Sequence, residues 1–204
     1  MTDPLEHFIY RLRNAHFAEY PFRHVFIEDV FPAWYVAGIQ SQLQRATSFE
    51  SMPEYPHRLF SGELDDQVKA LFADPRMGGT VCSVFKVYRN YEAMIRWTRD
   101  SKGYSLAPHT DAKEKAVTLL FYMPIERSEG PWGTSLYLPK DRSLKSDGTT
   151  HYPQEAFDLI QTFPFKANSM LGILRSDSSW HGVEQITKDI QRDSLFYTLN
   201  EKIS

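Results

Sequence analysis

The sequence predicts a mainly β protein with N-terminal helices, an α+β chain in which helices pack against an all-β core of barrel or sandwich type. Three observations carry this. Apolar residues at helical spacing are confined to the first part of the chain, where Leu5, Phe8, Ile9 and Leu12 mark one face. Past about residue 80 the apolar runs are short, β-branched and separated by turn residues. Near the end, Leu195, Tyr197 and Leu199 alternate with Ser194, Phe196 and Thr198, the period-2 pattern of a strand with two different faces.

In order along the chain, residues 4–17 read as a first helix and 24–28 as a short strand. Asp29 and Pro32 then open a second helix with Val36, Ile39 and Leu43 on its inner face. Leu64, Val68, Leu71 and Phe72 mark a third helix. Residues 81–88 fit strand or helix equally, because a short apolar run carries no decisive period. Strands are expected at 93–98, at 117–123 before Pro124, at 135–138, at 169–174 and at 194–199. Residues 139–160 are polar and turn-rich and read as a long loop, a length that is often functional. A single domain over 1–204 is expected, with 1–79 as helical support and 80–204 as the β core.

Composition narrows the class. The 204 residues are 42% hydrophobic and 24% charged, values of an ordinary globular chain. The net charge of −3 gives no general pull toward nucleic acid or an anionic membrane. Cys82 is the single cysteine, so no internal disulfide is possible and a reducing compartment fits. The first residues lack a basic segment followed by an apolar one, and no run approaches the roughly 18 apolar residues that span a bilayer. The expectation is a cytoplasmic protein.

The chemistry lies in four residues. His109-Thr110-Asp111 puts an imidazole and a carboxylate two positions apart, on the same side of an extended chain. His181, 70 residues beyond Asp111, can supply a third ligand from another strand. Two histidines and one carboxylate on one face of an octahedron leave three positions open, which suits non-haem Fe(II). Eleven residues after His181 stand Arg192 and then Asp193 and Ser194. Arg192 and Ser194 share a strand face, and a guanidinium beside a hydroxyl can grip a carboxylate.

Residues 103–111 (GYSLAPHTD), 130–137 (GPWGTSLY) and the stretch from His181-Gly182-Val183 to Arg192-Asp193-Ser194 together resemble the 2-oxoglutarate- and Fe(II)-dependent oxygenases, most of all the prolyl-hydroxylase-like branch. The likeness covers roughly residues 80–200. It implies a double-stranded β-helix (a jelly-roll, cupin-like core) buttressed by helices. It implies Fe(II) held by His109, Asp111 and His181, 2-oxoglutarate gripped by Arg192 with Ser194 and with Tyr104 in its pocket, and O₂ as oxidant, giving succinate and CO₂. A carboxylate at Asp111 implies a hydroxylase rather than a halogenase. The eleven-residue spacing to Arg192 is longer than in many prolyl hydroxylases and argues against a prolyl substrate, while the compact size and the lack of a peptide-binding module favour a small metabolite or biosynthetic intermediate. The alternatives are a peptidyl-prolyl hydroxylase and a non-catalytic β-helix protein that only binds a metal or ligand. A nucleic-acid demethylase fits less well, since Arg192 stands alone and the chain is acidic.

Other residues have plainer readings. Arg96 and Arg99 flank Trp97 just upstream of the metal motif, where they could meet an anionic substrate or the co-substrate; arginines on a strand bordering solvent are more often solvated, and that is the favoured reading. Lys113 and Lys115 read as a solvated loop, Trp132 as a core cap, and Trp180 as a core cap or a neighbour of the metal site. His151 and Tyr152 are placed to meet substrate from the long loop. Tyr88 resembles Tyr104 with less support, His7, His16, His24 and His57 carry no pattern, and Cys82 reads as a small buried apolar residue.

Overall fold

The computed structural model describes residues 2–61, 63–88, 90–125 and 128–202. Among them the helices are α1 (Pro4–Arg13), α2 (Ala33–Arg45), α3 (Asp66–Ala73) and α4 (Pro75–Phe85). The strands are β1 (His24–Glu28), β2 (Glu50–Ser51), β3 (Arg58–Ser61), β4 (Tyr91–Asp100), β5 (Leu106–His109) and β6 (Lys115–Tyr122). They continue with β7 (Ser135–Pro139), β8 (Phe157–Thr162), β9 (Ser169–Leu174), β10 (His181–Val183) and β11 (Arg192–Glu201).

Helix starts follow local chemistry. Asp3 caps α1 by accepting from the Glu6 amide, and Pro4 sits at the first position, where its missing N–H costs nothing. Asp65 caps α3, and Asp74 caps α4 ahead of Pro75. These signals settle the ambiguous stretch at 81–88: it is helical through Phe85. Met77, Thr80, Val81 and Phe85 are buried at helical spacing, and Lys86 closes the helix in the left-handed region at φ 60°.

Two antiparallel sheets face each other. The large one runs β1-β9-β6-β11-β4-β3-β2 and the small one β5-β10-β7-β8. From β4 onward the chain crosses between the sheets, so β9-β6-β11-β4 lies opposite β5-β10-β7-β8. That is a double-stranded β-helix, with β1 extending the large sheet at one edge and β2 and β3 at the other. The support region before residue 80 therefore contributes three strands as well as helices, two more than the sequence suggested. Residues 157–160, expected as loop, begin β8; exposed Leu159 breaks the apolar alternation that would have marked them.

The outer face of the large sheet is covered by the helices. Leu195, Tyr197 and Leu199 of β11 and Leu119 and Phe121 of β6 share one buried cluster with Leu5, Phe8 and Leu12 of α1 and with Val36, Ile39 and Leu43 of α2. The Phe121 ring centres this interface, 6.0 Å from Phe8, 5.5 Å from Phe31 and 5.2 Å from Phe72, each ring from a different segment. The inner face carries Leu120, Tyr122, Leu171 and Ile173 toward Leu136, Phe163 and Phe165. This leaves the other end of the two-sheet space for polar side chains. Phe121→Ala removes a fully buried ring shared by three helical-side partners, so urea unfolding is expected to show a loss of about 3–5 kcal/mol; a loss under about 1 kcal/mol would mean that the helices do not depend on this contact.

Candidate active site

Three potential ligands meet where β5 and β10 pair. His109, at the end of β5, lies directly opposite His181, at the start of β10. Their ring centroids are 4.5 Å apart. Asp111 follows in the turn to β6, and one ligand atom from each of the three residues lies within 4.8 Å of the others. Gly182 permits the close strand approach, since a Cβ there would meet the Leu106 carbonyl oxygen at 2.4 Å.

Both imidazoles are oriented by the backbone. His109 Nδ1 sits 3.0 Å from the Ala107 carbonyl and His181 Nδ1 2.9 Å from the Ser179 carbonyl. A carbonyl can only accept, so each Nδ1 carries a proton and each ring is held by that nitrogen, which leaves Nε2 as the atom available to a metal. Burial, and then the neighbouring His181, push the His109 pKa down to about 3, so it is neutral at ordinary pH. Burial alone would raise the Asp111 carboxyl; Lys115, and then His181, override it and hold the group well below the usual carboxylate range. Lys115 Nζ donates to Asp111 Oδ1 at 2.8 Å and Thr118 Oγ1 to Oδ2 at 2.8 Å. Two imidazoles held by their Nδ1 atoms and one ionised carboxylate suit a divalent first-row metal.

These residues open onto a cavity of about 300 Å³ that Arg192 also lines. Its floor is a cross-strand row. Arg58 of β3 and Arg192 of β11 lie on either side of Asp100 of β4, each directly opposite it in register. Arg58 grips Asp100 with two hydrogen bonds, and Arg192 Nη1 donates to the same carboxylate. Arg192 Nε donates to the Trp132 carbonyl at 2.8 Å. All three side chains are buried: Arg58 is 5% exposed, Arg192 1% and Asp100 0%. Two guanidiniums on one carboxylate leave an uncompensated positive charge in a low-dielectric site, which a ligand carboxylate would neutralise.

The four leading residues from the sequence thus share one cavity wall. Ser194 and Tyr104 do not line it. Ser194 faces Thr98 in the next row of the sheet, both hydroxyls buried without a hydrogen-bond partner. Tyr104 is 1% exposed and its ring lies 4.2 Å from the Arg58 guanidinium, so it supports the floor from behind. Arg99 is not simply solvated: it pairs with Asp193 on the helix side of the sheet. Arg96 and Lys115, also read as solvated, line the cavity. Arg175 bonds Asp177 and the Asp111 carbonyl. Trp180 packs with Tyr137 and Phe157 and does not reach the cavity.

The long loop partly meets its expectation. Gly148, Thr149 and His151 line the cavity, and the His151 ring lies 4.8 Å from His109. Gly148 takes φ +84° as the loop returns against Lys113. Tyr152 turns away and packs against Trp180. Arg58, Asp100 and Thr118 were not singled out in the sequence. Their only signal is cross-strand register, and β3, four residues long, shows no clear period.

No family model and no curated protein sequence matches the chain. Solved structures do resemble it. HygX from Streptomyces hygroscopicus, with nickel, 2-oxoglutarate and hygromycin B bound, aligns at TM-score 0.61 and 14% identity over 88% of this chain and 83% of that one. A Pseudomonas putida prolyl-4-hydroxylase aligns at TM-score 0.61 and 13% identity over 98% of this chain and 100% of that one. The α-ketoglutarate-dependent epimerase SnoN from nogalamycin biosynthesis aligns at TM-score 0.61 and 15% identity over 97% and 80%. At these identities the shared property is the fold, that of the 2-oxoglutarate- and Fe(II)-dependent oxygenases.

Asp100→Asn would leave two buried guanidiniums without a counter-charge. The expected loss is about 3–5 kcal/mol of unfolding free energy, read by urea titration. A loss below about 1 kcal/mol would show that the row is not a closed ionic unit.

Proposed function

We propose that the chain is an Fe(II)- and 2-oxoglutarate-dependent dioxygenase that hydroxylates an unactivated C–H bond of a small-molecule metabolite or biosynthetic intermediate, releasing succinate and CO₂. One observation carries this reading: a two-histidine, one-carboxylate cluster and a net-cationic arginine row wall the same cavity. His109, Asp111 and His181 would hold the metal. Arg192, with Arg58 sharing its carboxylate partner, would take the far carboxylate of the keto acid. When bound, iron and 2-oxoglutarate supply the oxidising power that no side chain has.

The chain's own part is to orient and to exclude. Lys115 and Thr118 fix both oxygens of Asp111, so the carboxylate is aimed before a metal arrives. Leu106, Leu120, Val183 and Phe196 give the cavity an apolar wall, which keeps water from competing for the open positions. The role of the whole chain as one domain follows, since β3, from the support region, supplies Arg58. A cavity of about 300 Å³ favours a small molecule. Peptidyl-prolyl hydroxylation is the second reading, favoured by the end-to-end alignment with the P. putida enzyme.

The test is an anaerobic titration of iron-loaded protein with 2-oxoglutarate, followed by the weak visible charge-transfer band of a chelated keto acid. The band is expected in the wild type and lost in His181→Ala; its absence from iron-loaded wild type would leave a binding protein without this chemistry. Arg192→Ala is expected to raise the 2-oxoglutarate requirement roughly 10- to 100-fold, the equivalent of about 1.5–3 kcal/mol for a charge-assisted hydrogen bond. An unchanged requirement would place the anchor elsewhere.

A further inference from the structure

We infer that the substrate carries an anionic group, a carboxylate or phosphate, and that Arg96 at the cavity mouth receives it; this rests on the functional reading above. Four cations line the cavity: Arg58, Arg96, Lys115 and Arg192. Three have carboxylate partners, Lys115 on Asp111 and the two other arginines on Asp100. Among the described residues Arg96 forms no ion pair and no hydrogen bond. Its guanidinium lies 5.0 Å from the Phe60 ring, and partial burial followed by the charge of Arg58 lowers its pKa.

Four cations against Asp100 and Asp111 leave two positive charges around the cavity. A divalent metal and a keto diacid dianion cancel each other, so loading the site leaves that excess in place. It stands in a chain whose net charge is −3, so it is a local concentration and not a property of the surface at large.

Position separates Arg96 from the co-substrate anchor. Arg96 lies opposite Phe196, whereas Asp100 lies opposite Arg192, an offset of four residues along β4. At about 3.4 Å per residue that is roughly 14 Å along the strand. Arg192 is at the buried floor and Arg96 is exposed at the mouth. Phe60, Phe196 and Tyr55 surround the mouth beside Arg96, giving the substrate an apolar or flat body next to its charge.

The experiment uses the full chain loaded with Ni(II) and 2-oxoglutarate and measures by calorimetry the binding of 3-phenylpropanoate, 2-phenylethyl phosphate and the neutral 3-phenylpropanamide at low salt. At least one acid is expected to bind tenfold or more tightly than the amide, and the stronger of the two identifies the group. Arg96→Gln is expected to erase the preference while 2-oxoglutarate binding stays at the wild-type value, and Arg96→Lys to restore part of it. Equal binding of acids and amide, no binding of either acid, or a preference that survives in Arg96→Gln would overturn the inference. So would weakened 2-oxoglutarate binding in Arg96→Gln, which would make Arg96 part of the co-substrate anchor. A wild type that prefers the acids but binds no 2-oxoglutarate would instead overturn the functional reading and leave the anion site standing.

Discussion

The row Arg58–Asp100–Arg192 is the constraint on which the site depends. Removing three charges from water is costly, and their mutual attraction offsets that only with good geometry and satisfied hydrogen bonds. Here the geometry comes from register: β3, β4 and β11 place the three residues directly opposite one another on the inner face of the large sheet. The same register puts Arg99 opposite Asp193 on the outer face, under the helices. A one-residue slip of β11 would send Arg192 and Asp193 to the wrong faces and break both pairings.

The metal cluster is built on the other sheet by similar means. Pairing of β5 with β10 sets His109 against His181, and backbone carbonyls two residues upstream hold both rings. Asp111 lies outside the strands but is held through Thr118 and Lys115 of β6, in the large sheet. The two sheets are thus tied together at the cluster itself. Geometry is fixed before any ligand binds, which lowers the ordering cost of binding.

The sequence made the periodic parts of this legible. The faces of α1 and α2 came through because burial there is one-sided, and β11 came through because its helix-facing positions Leu195, Tyr197 and Leu199 are all large and apolar while Ser194 and Thr198 on the other face are polar. His109, Asp111, His181 and Arg192 came through because their spacing is itself a pattern. Arg58 and Asp100 did not, because their meaning lies in strand pairing across 42 residues of chain. Lys115 looked like a loop lysine, since nothing in its neighbours shows that it reaches back to Asp111. Phe157 to Ile160 were hidden by an outward-facing leucine, and α4 by an apolar run too short to choose a period.

The central claim is that the cationic floor reads the far carboxylate of a keto diacid chelated at the histidine–aspartate cluster. The most direct measurement is calorimetry of Ni(II)-loaded protein with 2-oxoglutarate and with 2-oxopentanoate, which keeps the chelating end and lacks the far carboxylate. A preference of roughly 10- to 100-fold for 2-oxoglutarate is expected, the size of a charge-assisted hydrogen bond in a buried site. Equal affinity for the two acids would contradict the account, because the arginine row would then have no part in recognition.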